Sequence, residues 1–257
     1  MNAPNVVTPS EWLEERKKLL KREKELTRLR DDVARERRAL PAVEVKKNYE
    51  FDGPRGKSKL ADLFAGRSQL VVYHFMFGPD WAEGCPSCSF VGDHLDGAVV
   101  HLGHRDVTFA AVSRAPFAKI AKFKQRMGWR FDWVSSHGSD FNFDFHVSYT
   151  PEQIASGAVE YNYAKVAFPF DEAHGLSVFR KDGEGRVYHT YSSYGRGCES
   201  LLTTYSILDL VPKGRDEEGL AFSMAWLRHH DRYDAKYQVD PRVGYEVKRE
   251  PVGAKPK

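Results

Sequence analysis

Cys85-Pro86-Ser87-Cys88 holds the chain's only two closely spaced thiols, and its setting is what makes it informative. An apolar run, Gln69 to Phe77 (QLVVYHFMF), feeds a loop from Gly78 to Gly84, and the cysteines follow at once. Where a buried strand delivers the chain into the first turn of a helix, unpaired N–H groups and the positive dipole end stabilise an anion. A cysteine there has its pKa lowered from ~8.5 into roughly 3.5–7.5. Cys85 is therefore the expected nucleophile. Cys88 lies nearly one helical turn further along the same face, close enough to attack a mixed disulfide at Cys85, and is the expected resolving thiol. Pro86 falls at the first helical position, where its fixed φ suits the helix and its missing N–H is not needed.

Two other readings of the pair stay open. One is half of a zinc site, which needs a second pair of ligands. Only Cys198 remains, in Gly195-Arg-Gly-Cys198, and His94, His101 and His104 share the helix of the cysteines or lie just past it. They do not form a compact facing pair, so neither a metal nor a cofactor is expected. The other is two inert core thiols, which is also the simplest reading of Cys198. Around the pair, Asp80 and Trp81 stand in the loop before Cys85, where they would cover the site or bind substrate, Trp81 alternatively by packing. Arg114 and Arg196 follow predicted strands at the sheet end where open α/β folds bind ligands, and either would supply positive charge to a thiolate or anionic substrate.

The elements that position these residues follow from pattern. Gln69 to Phe77 is short, continuous and rich in β-branched and aromatic residues, as a strand buried on both faces should be. Cys85 to Leu102 reads as a helix, Asp106 to Ser113 as a second buried strand, and Pro116 to Met127 as an amphipathic helix opening on proline. The crossover length makes the first strand pair parallel. Upstream, Asn48 to Phe51 reads as a strand, Asp52-Gly-Pro-Arg-Gly56 as a turn and Leu60 to Phe64 as a helical turn. Residues 136–173 are irregular but carry Phe141, Phe143, Phe145, Tyr149, Tyr161 and Tyr163, which argues for a packed insertion. Leu176 to Arg180 and Arg186 to Tyr191 flank Asp182-Gly-Glu-Gly185 as a hairpin. Glu199 to Leu210 closes as a helix before Pro212, Leu220 to Tyr233 reads as a last helix, and a mobile tail is expected from Asp240.

The N-terminal part differs in kind. Residues 11–38 contain no Gly or Pro and carry 11 Lys/Arg against 8 Asp/Glu. Trp12, Leu19, Leu26, Val33 and Leu40 recur every seven residues, a narrow apolar stripe on a long helix with Ser10 as the expected N-cap. Either its own domain covers this stripe or a second copy does, and its length of roughly 45 Å favours a homodimer. The expected organisation is thus a helix over 1–40, a main domain over 41–212, and a C-terminal helix and tail over 213–257.

Composition bounds the function. The 257 residues are 41% hydrophobic and 29% charged, ordinary for a globular protein. A net charge of +3 is too small to suggest a nucleic-acid partner. No apolar run approaches the ~20 residues of a membrane span, and Met1 to Ser10 lacks the pattern of a secretory signal, so a cytoplasmic location is expected.

From Leu60 to Leu210 the chain resembles a thioredoxin-fold domain of the peroxiredoxin-like kind. More closely, MFGPDWAEGCPSC (Met76 to Cys88), AVSRAP (Ala111 to Pro116), WVSSHGSDFNFDF (Trp133 to Phe145), GLSVFRKDG (Gly175 to Gly183) and HTYSSYGRG (His189 to Gly197) resemble the DUF899 family of thioredoxin-like proteins, commonly labelled dithiol-disulfide oxidoreductases. The resemblance implies an α/β thioredoxin-like fold, a mixed central sheet flanked by helices, with the long N-terminal helix and the aromatic insertion added. The dithiol itself points to a thiol-disulfide oxidoreductase acting on a disulfide or small-molecule redox substrate and recharged by a cellular thiol reductant. The alternative is a binding or assembly module on a catalytically idle scaffold. Thioredoxin-type relatives carry a buried acid beneath the redox pair as proton acceptor, and His74 would take that place, the competing reading being a core histidine. Peroxiredoxins carry Pro and Thr or Ser seven and three residues before their reactive cysteine. Here Gly78 and Ala82 stand there, without the peroxide-activating hydroxyl. The cis-proline that thioredoxins place before the facing strand is replaced by Ala173-His174-Gly175.

Overall fold

The computed structural model describes residues 5–233 and 244–250. They fall into two compact units that divide between Ala42 and Val43. The first unit is a single helix, α1 (Pro9–Arg38). Its cap is Thr8 rather than Ser10: the Thr8 hydroxyl accepts the Glu11 N–H at 3.3 Å, and the Glu11 carboxylate accepts the Thr8 N–H at 2.9 Å. This reciprocal pair, with Pro9 opening the helix, moves the start one turn ahead of the apolar stripe. No residue of α1 is buried, and Trp12, Leu19, Leu26 and Val33 are exposed.

The second unit is built on one eight-stranded mixed sheet. In chain order its elements begin with β1 (Val43–Glu44), β2 (Glu50–Gly53), β3 (Gly56–Lys59) and a 3-10 turn at Asp62–Phe64. Next come β4 (Gln69–His74), α2 (Pro86–Asp96), α3 (Val99–Gly103), β5 (Val107–Ser113), α4 (Phe117–Met127) and β6 (Asp132–Ser135). The insertion contributes α5 (Phe141–Asp144), α6 (Pro151–Ala155) and a separate hairpin of β7 (Val159–Tyr161) and β8 (Ala164–Val166). The chain returns to the sheet as β9 (Gly175–Lys181) and β10 (Val187–Tyr194), then forms α7 (Thr203–Leu208).

The sheet order is β1-β10-β9-β4-β5-β6-β2-β3. β4, β5 and β6 are parallel, joined by helical crossovers, while β9 runs antiparallel to β4. β4 is thus central, and its Leu70, Val72, Tyr73 and His74 are buried, as the continuous apolar run requires. Two cores follow, one on each face. Tyr73, Phe75, Trp81, Cys85, Cys88 and Trp133 belong to the first, and Phe51, Val72, Phe141, Phe145, Val147 and Phe179 to the second. The aromatic insertion is therefore packed, its Phe141 and Phe145 rings tilted together at 4.7 Å.

Several sequence expectations need correction. The helix expected over Cys85–Leu102 breaks at Gly97-Ala98 into α2 and α3. The one expected over Glu199–Leu210 is a 3-10 segment, Gly195–Leu201, followed by α7. No α-helix forms over Leu220–Tyr233. That segment is a string of turns ending in a 3-10 turn at His230–Arg232, anchored by fully buried Leu227 and by the Trp226 indole donating to Glu217 at 2.8 Å. Within the expected mobile tail, residues 244–250 are held against the domain, as described below. Residues 240–243 and 251–257 lie outside the described residues.

Candidate functional site

β4 ends at His74, and the chain crosses the Gly78–Gly84 loop before Cys85 takes the N-cap position of α2, with Pro86 at its first turn. The Cys85 N–H donates to the Met76 carbonyl at 3.0 Å, and the Cys85 carbonyl accepts from the Ser89 N–H at 2.9 Å. The cap residue is thereby pinned between strand end and helix. The Met76 N–H points at the Cys88 sulfur at 3.4 Å. Both cysteines are free thiols, Cys85 3% and Cys88 1% exposed.

The two thiols have opposite electrostatics. The Cys88 thiol donates to Cys85, the backbone N–H groups of Cys88 and Ser87 and the Tyr245 hydroxyl add to this against burial, and together they draw the Cys85 pKa down to about 7. This is the helix N-terminus acting through named donors. Cys88, one turn deeper, is pushed well above the ordinary thiol range by burial and by the neighbouring Cys85.

Strand alternation decides what lies beneath the pair. Tyr73 and Phe75 face the cysteine side, whereas His74 faces the other core, stacked on Phe145 at 5.6 Å with its Nε2 hydrogen-bonded to the Ser177 hydroxyl at 2.8 Å. His74 is therefore not placed to take a proton from Cys88. It is a core histidine, held neutral by a pKa lowered to about 3 by burial, with the nearby His189 adding to the shift. Tyr73 lies beneath the pair instead, its buried hydroxyl beside Cys88 and, among the described residues, without a hydrogen-bond partner.

A cavity of about 330 Å³ opens beside the pair, lined by Tyr73, Cys88, His174, Arg196, Cys198 and Arg215 among others. Of the residues expected from sequence, it joins Arg196 to Cys88. The Arg196 guanidinium is nonetheless exposed and paired with Glu199 at 2.9 Å, and Arg215 is tied to Asp209 at 2.8 Å. Cys198 is 4% exposed, donates to the Ser193 carbonyl at 3.5 Å, and is pushed up to about 12 by burial, an inert thiol at neutral pH. His174, immediately before β9, lines the same cavity with its Nε2 at 3.3 Å from the Gly195 carbonyl.

The other expected residues are committed elsewhere. Trp81 is 1% exposed and packs in the cysteine-side core, so it does not present a face to substrate. Asp80 pairs with Arg249 at 2.6 Å. Arg114 pairs with buried Glu172 at 2.8 Å and lies over the Phe143 ring, so it brings no charge to the thiols. His94 is engaged by the Phe90 carbonyl and Thr204, and among the described residues no group of three or more His, Cys, Asp or Glu is placed to hold a metal.

Sequence reasoning missed Tyr245. Its hydroxyl is 3.8 Å from the Cys85 sulfur and is hydrogen-bonded to the Ser87 hydroxyl. Nothing local signals this contact between residues 160 positions apart.

A central β4 flanked by parallel β5 and antiparallel β9, with a CxxC pair opening the helix after β4, defines a thioredoxin-like protein. The chain belongs to the DUF899 family, described as a bacterial protein of unknown function, whose model matches residues 1–233. No curated protein matches it. Among solved structures it is similar to Xanthomonas campestris peroxiredoxin Q, at 12% identity and a TM-score of 0.40 over 62% of this chain and 88% of that one. It is also similar to the peroxidoxin BcpB from Mycobacterium tuberculosis, at 14% identity and a TM-score of 0.39 over 64% of this chain and 95% of that one. Among the described residues no helix is long and apolar enough to cross a membrane.

Proposed function

We propose that the protein is a thiol-disulfide oxidoreductase that cycles Cys85 and Cys88 between dithiol and disulfide. The observation that carries this is the pairing of a donor-rich Cys85 at the N-cap of α2 with a buried Cys88 one turn deeper. The Cys85 thiolate attacks one sulfur of a substrate disulfide, forming a mixed disulfide and expelling the other substrate sulfur as a thiolate, which takes a proton from water. Cys88 then attacks the Cys85 sulfur as its proton passes to the departing substrate sulfur, which leaves as the second substrate thiol, and the Cys85–Cys88 disulfide remains. Two electrons have passed to the substrate, and a cellular thiol reductant of the cytoplasm returns them. Tyr73, beside Cys88, is a positioning residue for this second step. The remaining partner is a second copy of the chain, covering the apolar stripe of α1.

Cys85→Ser should abolish disulfide reduction, whereas Cys88→Ser should accumulate a mixed disulfide on Cys85, detectable by intact-mass spectrometry. Adducts on Cys88 in the Cys85→Ser protein would reverse the roles. A second reading, a binding module with an idle dithiol, is favoured by the low exposure of Cys85. Titration of free thiols separates the two, because a cycling pair gains two on mild reduction of the oxidised protein and an idle one gains none.

A further inference from the structure

Residues 244–250 (GYEVKRE) lie beyond the stretch matched by the family, and they touch the site through backbone as well as side chains. The Ala82 N–H donates to the Lys248 carbonyl at 2.7 Å and the Glu250 N–H donates to the Asp80 carbonyl at 2.6 Å. Trp81 and Arg249 form an antiparallel bridge between these bonds. The loop before Cys85 therefore offers a short strand edge, and the chain's own C-terminal segment is paired with it. Pro251 biases Glu250 toward the extended backbone this pairing needs.

Side chains fix the register. Arg249 reaches Asp80 at 2.6 Å and Asp171 at 2.7 Å, and Glu250 reaches Lys119 at 2.7 Å. Four residues before Arg249, Tyr245 places its hydroxyl against Ser87 and Cys85, and Tyr245 and Val247 pack on the cysteine-side core. A segment pairing with Asp80–Ala82 thus sets a side chain at the nucleophilic sulfur. Edge pairing uses main-chain groups that every extended polypeptide carries, with side-chain contacts adding selectivity.

We infer that the Asp80–Ala82 edge docks an extended polypeptide carrying a disulfide, and that residues 244–250 occupy this edge in the resting protein with Tyr245 over Cys85. The inference rests on the dithiol reading for its chemistry and on the strand pairing for its geometry. A tyrosine offers no sulfur for exchange, so the resident segment blocks without reacting and must leave before a substrate is attacked.

The test uses full-length protein and the variant Arg249→Ala/Glu250→Pro, which removes the guanidinium clamp and the N–H donated to Asp80. Three readouts are compared: alkylation of Cys85 by iodoacetamide, reduction of a disulfide-linked peptide pair, and reduction of hydroxyethyl disulfide. The variant should alkylate and reduce the peptide disulfide at least about tenfold faster than the parent. Synthetic GYEVKRE should reverse both gains, and the same peptide with Glu250→Pro should not. Equal alkylation rates in parent and variant, or no protection by GYEVKRE, would overturn the docking edge. Reduction of hydroxyethyl disulfide in that case would leave the dithiol reading standing. Faster alkylation reversed by GYEVKRE, with no disulfide reduced by either protein, would instead uphold the edge and sink the dithiol reading.

Discussion

Cys88→Ala removes the foremost donor to the Cys85 thiolate, and the consequence is calculable. With its donors drawing Cys85 down to about 7, about half of it should be thiolate at pH 7 in the parent. Without the Cys88 thiol its pKa should rise toward the ordinary ~8.5, and the thiolate fraction at pH 7 falls to about 3%, roughly 16-fold less. A thiolate of higher pKa is also a better nucleophile. With a Brønsted coefficient near 0.45, a rise of ~1.5 pKa units increases intrinsic reactivity about fivefold. The observed alkylation rate at pH 7 should therefore drop only about threefold, while above pH ~9.5, where both proteins are ionised, the variant should be about fivefold faster. The two pH–rate curves must cross. Tyr245 covers Cys85 in both proteins and scales both curves alike. The assay is iodoacetamide labelling between pH 5 and 10, with Cys85 quantified by peptide mass spectrometry. A parent midpoint at or above ~8.5, or variant and parent curves that superimpose, would refute the assignment of Cys85 as the activated thiol.

Three further outcomes are expected. His74 stays neutral in the folded protein down to about pH 3, whereas the unfolded chain binds its proton near pH 6.5. A base with a depressed folded pKa contributes stability that is whole above pH ~6.5 and is lost as pH falls toward 3, about 3 kcal/mol by pH 4. His74→Gln should flatten that acid limb in urea titrations, and an unchanged slope would count against the buried neutral imidazole. A Cβ at Gly78 would sit 2.7 Å from the Trp81 indole nitrogen, so Gly78→Ala should destabilise by about 1–3 kcal/mol, read from the urea midpoint; an unchanged midpoint would mean the loop yields freely. Leu19 and Leu26 are exposed on α1, and Leu19→Glu/Leu26→Glu should convert a dimer to a monomer in light scattering while leaving the dithiol redox-active; a monomeric parent at micromolar concentration would remove the second copy.

The sheet centre was legible because β4 and β5 carry unbroken apolar stretches, Leu70–Tyr73 and Phe109–Val112, and the site because CxxC follows the first of them after one short loop. What such a run hides is parity. A strand buried on both faces gives no alternation to show whether Tyr73 or His74 faces the cysteines, and the answer came only from where α2 packs. β6 escaped notice because it is only four residues long and follows the aromatic Trp129–Phe131 turn, and of its own residues only Trp133 and Val134 are large and apolar. Leu220–Tyr233 has helix-like apolar spacing, yet its side chains anchor individually, Trp226 to Glu217 and Leu227 in the core, without a helical backbone. Tyr245 was illegible for another reason: it acts through a long-range contact whose local sequence reads as polar tail.

The account's central claim is that Cys85 and Cys88 exchange two electrons as a pair, and redox equilibration tests it most directly. The protein is held in glutathione buffers spanning roughly −270 to −120 mV, quenched with iodoacetamide, and mapped by mass spectrometry. The expected result is one two-electron transition in which Cys85 and Cys88 lose alkylation together and appear as a linked peptide, while Cys198 remains a free thiol throughout. Persistence of both cysteines as free thiols across the whole range, or pairing of either one with Cys198, would contradict it.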